Sequence, residues 1–217
     1  MSSVLFIFGA FVAVLAVLGV VANAKRGGEI RELAAKKQWD KLPDDRSLPD
    51  TFGGQPFQHG HRRIAKNILR GSHHDHGVLV FDYVFHTPGS DGDDTHRRWV
   101  VCVEDLPAAL PPLEVVHRKW TKGNVSRLGG IEVRTGEPAF DARYRVTAGS
   151  PQLAADVLSP EVVRLLMSWP DLPWRIEGRR LLTWGDGVLK PHWVEPALNM
   201  LTTLAEAIPE NVWRTAG

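Results

Sequence analysis

Histidine supplies the side chains best suited to chemistry, with nine copies among 217 residues. Imidazole moves protons near neutral pH and binds zinc, nickel and copper. His73, His74 and His76, with Asp75 among them, crowd one short stretch and are the candidate metal ligands. His59 and His61 are two residues apart and share a face if that stretch is extended. The two groups cannot share one metal within a chain, because a strand over Arg62–Arg70 holds them about 30 Å apart at roughly 3.3 Å per residue. Adjacent side chains on a strand also point in opposite directions, so a solvated histidine-rich loop is the competing reading of the 73–76 stretch.

A second constellation is aromatic and basic. Trp174, Arg175, Arg179, Arg180 and Trp184 lie close together and form a candidate binding surface for an acidic or aromatic-seeking partner. Core and rim packing is the alternative use of such tryptophans. Other chemistry is not signalled. The chain has no G-x-S-x-G, S-x-x-K or H-E-x-x-H motif, and no glycine is followed directly by lysine as a phosphate loop requires. Asp91, Asp93 and Asp94 resemble a calcium loop, but the twelfth position counted from Asp91 is Cys102 where a bidentate Glu is needed. Cys102, the single cysteine, sits in an apolar run and reads as a small core residue. No catalytic residue can be named and no cofactor is implied. Lys and Arg number 26 against 25 Asp and Glu, so nothing draws the chain towards nucleic acid.

The elements that must position these residues begin with a membrane segment. Val4 to Ala24 is interrupted only by Gly9, Gly19 and Asn23 and carries no charge. About 20 apolar helical residues cross the roughly 30 Å hydrocarbon layer. Residues 1–24 therefore read as a transmembrane helix. A cleaved signal peptide competes, since Ala22-Asn23-Ala24 fits a small-x-small site, but no basic residue precedes the run and it exceeds the usual core of roughly 7–15 residues. Lys25, Arg26, Arg31, Lys36 and Lys37 follow it, which predicts the N-terminus outside and the main domain in the cytoplasm.

Residues 25–56 read as a juxtamembrane helix over Glu29–Leu42, followed by a Pro- and Gly-rich linker over Pro43–Pro56. Residues 57–217 read as an α+β domain. Strands are expected at Arg63–Arg70, Gly77–Thr87, Arg98–Glu104, Leu113–His117, Ile131–Arg134 and Tyr144–Thr147, with Gly71–His76 as a hairpin tip. Ser150-Pro151 and Ser159-Pro160-Glu161 each open a short helix. Trp174–Trp184 reads as a hairpin turning near Gly178, and Pro196–Ile208 as a closing helix. Short connections between successive strands make the sheet mainly antiparallel, and a strongly bent sheet capped by the C-terminal helix fits this order.

The segments FDYVF (81–85), WVVCVEDLPAALPPLEVV (99–116), AFDARYRVTAGSPQLAADVLSPEVVRLL (139–166) and WRIEGRRLLTWGDG (174–187) resemble a family of single-pass membrane proteins of high-GC Gram-positive, actinobacterial type. The resemblance spans roughly residues 60–208. That family has no assigned activity, so the resemblance implies an anchor and a soluble domain and adds no site residues. Together these readings describe a single-pass cell-membrane protein whose domain is a non-catalytic binding or scaffold module. Its partners are the lipid bilayer and a protein. The rival is a membrane-tethered metal-dependent or hydrolytic enzyme working at the histidine-rich tip. A third reading places the domain outside the cell.

Overall fold

The computed structural model describes residues 21, 24–89, 93–120, 129–169 and 171–215. The apolar run at 4–24 lies almost wholly outside them. Among the described residues no helix is long and apolar enough to cross a membrane.

Residues 24–37 form helix α1. Ile30, Leu33 and Ala34 recur at helical spacing and are buried against the sheet. The helix stops five residues before the expected Leu42, because Gln38 takes the left-handed conformation at φ 57° and turns the chain back. Asp40–Lys41 then pairs with the strand beside it as β1. The stretch expected as a linker is part of the packed body. Phe52 and Phe57 are fully buried, and Leu48–Thr51 makes one turn of 3-10 helix between β1 and Phe52.

The next three strands are β2 (His61–His73), β3 (His76–Pro88) and β4 (Asp94–His117). Val100 to Val103 are all buried, the pattern of a strand covered on both faces. Val80, Val100 and Cys102 face the helices, while Phe81, Tyr83, Val101 and Val103 face a second, aromatic core closed by Phe52 and Phe57. The strands expected at Arg98–Glu104 and Leu113–His117 are one continuous strand. Pro107, Pro111 and Pro112 do not break it, since they fall where its register with its neighbour shifts, between Asp105 and Leu113, and no regular ladder bond is lost there.

The remaining elements are β5 (Ile131–Val133), α2 (Pro138–Arg143), β6 (Tyr144–Ala148), α3 (Pro151–Val157), α4 (Pro160–Ser168), β7 (Trp174–Asp186), α5 (Pro191–Ala207) and α6 (Glu210–Thr215). Ser150 and Ser159 cap α3 and α4 as expected, their hydroxyl oxygens accepting from the Leu153 and Val162 amides. The expected hairpin over Trp174–Trp184 is instead the single strand β7. It lies along β4 on both sides of the bend, and Gly178, at φ +59°, sits opposite Leu110 where the register shifts. The closing helix starts earlier than expected, at Pro191 in its first turn, accommodates Pro196, and is followed by α6. The sheet runs β1-β2-β3-β4-β6-β5 with β7 on the other edge of β4, and every pairing is antiparallel. The α+β, mainly antiparallel class is as expected.

Candidate functional site

The three histidines of the tip do not converge. β2 and β3 are joined by His74 and Asp75, both at positive φ, which is the tight two-residue turn that suits a right-twisted hairpin. His73 turns inwards, is 6% exposed, and its Nε2 lies 2.8 Å from Asn199 Oδ1 on α5. Burial pulls its pKa below the ordinary histidine value, against the Asn199 hydrogen bond. His74 stays exposed, its ring edge-on to that of His73. His76 points to β4, with Nδ1 3.2 Å from Glu104 Oε1. Glu104 is fully buried and its other oxygen accepts from the Thr202 hydroxyl at 2.7 Å. Burial raises the Glu104 carboxyl above its usual range, with Thr202 and His76 opposing. The tip is therefore a clasp between the hairpin and α5, not a free loop. Beside it lies a recess of about 410 Å³ lined by His76, Pro107, Glu206, Ile208 and Trp213. Among the described residues no three His, Cys, Asp or Glu side chains are placed to hold a metal ion.

The aromatic and basic surface expected around β7 is largely interior. Trp174, Arg175 and Trp184 are buried, because alternate residues of β7 feed two cores and both faces are covered. Only Arg179 is fully exposed, with Arg180 half-buried. Arg175 is the centre of a buried clamp. It donates from Nη1 to the Gln55 carbonyl at 2.6 Å and from Nη2 to the Gly53 carbonyl. Glu177 Oε2 stands 3.0 Å away and Glu114 Oε2 3.7 Å. Glu177 Oε1 in turn accepts from the Gly53 amide at 2.7 Å. The guanidinium lies over the rings of Phe57 and Trp184. Arg180 repeats the device at the rim, donating to the Thr51 carbonyl at 3.0 Å over the Phe52 ring. These arginines fasten the 51–57 loop to the sheet.

The basic residues after the apolar run also separate in space. Lys25, Arg31 and Lys36 are exposed. Arg26 turns to the domain, with Nη2 3.9 Å from Asp82. Asp82 is buried and accepts from Asn67 Nδ2 at 2.7 Å and from the Leu189 amide, so three separate segments meet on one carboxylate. Lys37 pairs with Glu195 at 3.1 Å across a recess between α1 and α5 lined by Glu29, Glu32, Lys36 and His192.

Two clusters escaped the sequence. At the end of the sheet away from the tip, Asp94 Oδ2 lies 3.0 Å from His61 Nε2, 3.2 Å from Arg62 Nη1 and 3.7 Å from His86 Nδ1, and the His96 ring packs on His86. A cation is disfavoured at that oxygen because Arg62 already occupies it. The β2–β3–β4 register assembles these residues, and no local spacing announces them. Asp171 binds Arg143, the Tyr144 hydroxyl at 2.8 Å and Lys119 at 3.2 Å, with His117 at 3.4 Å. Burial opposes its ionisation, but these donors win and hold its carboxyl at about 2.

No protein-family model and no curated protein matches the chain. Among solved structures it is similar to the crystal structure of the mycobacterial trehalose monomycolate transport factor A, TtfA. The TM-score is 0.64 at 13% identity, over 84% of this chain and 96% of that one. At that identity the likeness is one of fold.

Proposed function

We propose that the chain is a membrane-tethered, non-catalytic binding domain that serves a protein partner at the cytoplasmic face of the cell membrane. One observation carries this reading. The apolar run at 4–24 leads with no spacer into α1, and α1 belongs to the core of the domain through Ile30, Leu33 and Ala34. Arg26 pins its first turn to buried Asp82. A domain whose first helix follows the apolar run directly in sequence is held close to the membrane, and tethering raises its encounter rate with membrane partners without any new contact. The likeness of fold to a protein named as a transport factor supports an accessory role of this kind, and the resemblance to actinobacterial single-pass proteins agrees with it. The recess between α1 and α5 is the surface on which a partner would rest.

The test is a photo-crosslinking amino acid at Glu32 or His192 of the full chain in native membranes. One protein adduct of constant mass is expected from both positions, and none from a probe at exposed Arg134. Adducts to lipid alone, or a random ladder, would sink the proposal. Reporter fusions at Gly217 check the side of the membrane.

A second reading, a hydrolytic or metal-dependent enzyme at the tip, is favoured by the pairing of His76 with buried Glu104 beside the 410 Å³ recess. Metal analysis of the purified full chain decides it. A stoichiometric metal lost on changing His73, His74 and His76 to Ala would move the assignment to this reading.

A further inference from the structure

We propose that the recess on the aromatic side of the sheet, between Leu48–Phe52 and the β2–β3 hairpin, binds a free α-amino acid with an apolar side chain. Such a site would serve the domain whether or not it is tethered. The recess encloses about 380 Å³, and Leu48, Phe52, Arg70, Leu79, Asp105 and Arg180 are among the residues that line it. Small-molecule sites run from roughly 300 to 1,000 Å³, so this one suits a compact metabolite.

The sheet register gathers the charged groups. Arg70 pairs with Leu79 across β2 and β3, and Asp105 pairs with Arg180 across β4 and β7. Directly opposed residues share a face of the sheet. Leu79 packs on the aromatic core, and Asp105 lies two residues beyond Val103, which belongs to that core. All four side chains therefore project to the side that Phe52 covers.

These charges are left open. Asp105 and Arg180 are cross-strand partners but do not meet. Arg180 is drawn over the Phe52 ring, 4.7 Å from its centroid, and its Nη1 donates to the Thr51 carbonyl at 3.0 Å and to the Thr51 hydroxyl at 3.1 Å. Its Nη2 and Nε have no acceptor among the described residues. Asp105 leans over Gly77, where an added Cβ would stand 2.6 Å from Oδ2, so the glycine leaves room for the carboxylate. Arg70 is exposed, and it forms no ion pair with Asp40, its cross-strand partner on β1, or with any other described residue.

The surrounding charges are met elsewhere or stand outside. Asp50 binds Arg63 at 2.8 Å, and Glu177 binds Arg175. Lys41, Arg46, His74, Asp75 and Arg179 do not line the recess. Two guanidinium groups and one carboxylate face it, and Asp40 stands beside Arg70. A plain anion would meet Asp105, and a plain cation would meet the two arginines. A zwitterion satisfies both. Its carboxylate fits between Arg180 and Arg70, where guanidinium forks suit carboxylate geometry. Its ammonium donates to Asp105. Its side chain rests on Leu79 and Val103 against Leu48 and Phe52. The Thr51 bonds hold Arg180 in place beforehand, which lowers the ordering cost of binding.

The experiment is calorimetric titration of the full chain in a non-ionic detergent with L-leucine, N-acetyl-L-leucine, L-leucinamide and glycine. Saturable binding of leucine is expected with a dissociation constant of about 1 mM or tighter. N-acetyl-leucine lacks the ammonium and leucinamide lacks the carboxylate, so each should bind on the order of 10-fold or more weakly. Glycine should lose a similar factor, because it buries no apolar side chain. Exposed Arg70 and Asp105 can be changed without opening the core, and unchanged thermal melts check this. Asp105→Asn should weaken leucine and leucinamide on the order of 10-fold and leave N-acetyl-leucine as it was. Arg70→Ala should weaken leucine and N-acetyl-leucine and leave leucinamide as it was. That crossed pattern is not produced by a merely structural role. No saturable heat at about 10 mM leucine, equal binding of leucine and its two blocked forms, or variants that weaken all three alike would overturn the proposal.

Discussion

Replacing Arg175 by Met should be among the most damaging single changes available in this fold. Arg175 is fully buried on β7, so the methionine keeps the aliphatic stem against Phe57 and Trp184 and removes only the charged fork. The Gln55 and Gly53 carbonyls lose their donor, and Glu114 and Glu177 lose their positive partner. Breaking a buried ion pair by deleting one member costs about 3–5 kcal/mol, because the survivor is left charged away from water. For a domain of this size each kcal/mol moves the melting midpoint by about 2–4 °C, so a fall on the order of 10 °C is expected. Urea unfolding of the full chain in mild detergent, followed by tryptophan fluorescence, measures the loss as a shift in midpoint at constant slope. A companion variant separates charge from packing. Arg175→Met combined with Glu114→Gln and Glu177→Gln removes the stranded carboxylates and should regain about half of the lost stability. A loss below about 1 kcal/mol for the single variant would refute the clamp, since that is the range of an ordinary exposed contact. A triple variant as unstable as the single one would refute the electrostatic account and leave the two loop carbonyls as the cause.

Asp171 titrates well below its ordinary value of 3.8, at about 2, so its contribution is complete above about pH 4 and is lost as the pH falls through 2. That contribution is on the order of 2 kcal/mol. Asp171→Asn should flatten the acid limb of the stability curve in this window and lower stability at pH 7. Glu104 behaves in the opposite sense. Burial raises its carboxyl in the folded state, so folding is favoured by the proton and stability declines as the pH rises above the ordinary glutamate value of 4.5. Glu104→Gln should therefore match the parent in acid and exceed it at pH 8 in thermal melts, and a variant less stable at pH 8 would reverse the assigned direction. Gly178→Ala should cost about 1 kcal/mol, the penalty for a side chain at positive φ, and no more, because a Cβ there meets open space. A loss several times larger in the same melts would show a clash at the bend that the backbone does not display.

Much of the fold was legible because it is written locally. Ser-Pro pairs start α3 and α4 because a hydroxyl oxygen and a fixed φ act within one turn. The β-forming run Gly77–Thr87 became β3 because its neighbours on both faces are apolar. The errors have a common source in long-range pairing. The prolines of 107–112 look like strand breakers until β4 is seen to bend there. Gly178 looks like a hairpin turn until β7 is laid along β4 on both sides of that bend. The tryptophans and Arg175 of β7 look like a surface, since period-2 alternation does not say whether the second face of a strand is covered. Phe52 and Phe57 cover it, from a segment whose Pro and Gly content suggested a linker.

The sites follow the same division. Residue types alone made histidine the candidate for chemistry and marked the run at 4–24 as apolar enough to span a bilayer, because composition and length suffice for both statements. Only the tertiary structure decided that His73 and His76 clasp α5 and Glu104. It alone gathered His61, His86, His96 and Asp94 from three strands, and turned Arg26 towards Asp82 instead of outwards. The physical reason is range. Propensity, capping and hydropathy act over one to four residues or sum along a segment. The partner of a buried charge is set by which strands pair and in what register, a choice made by the whole core at once.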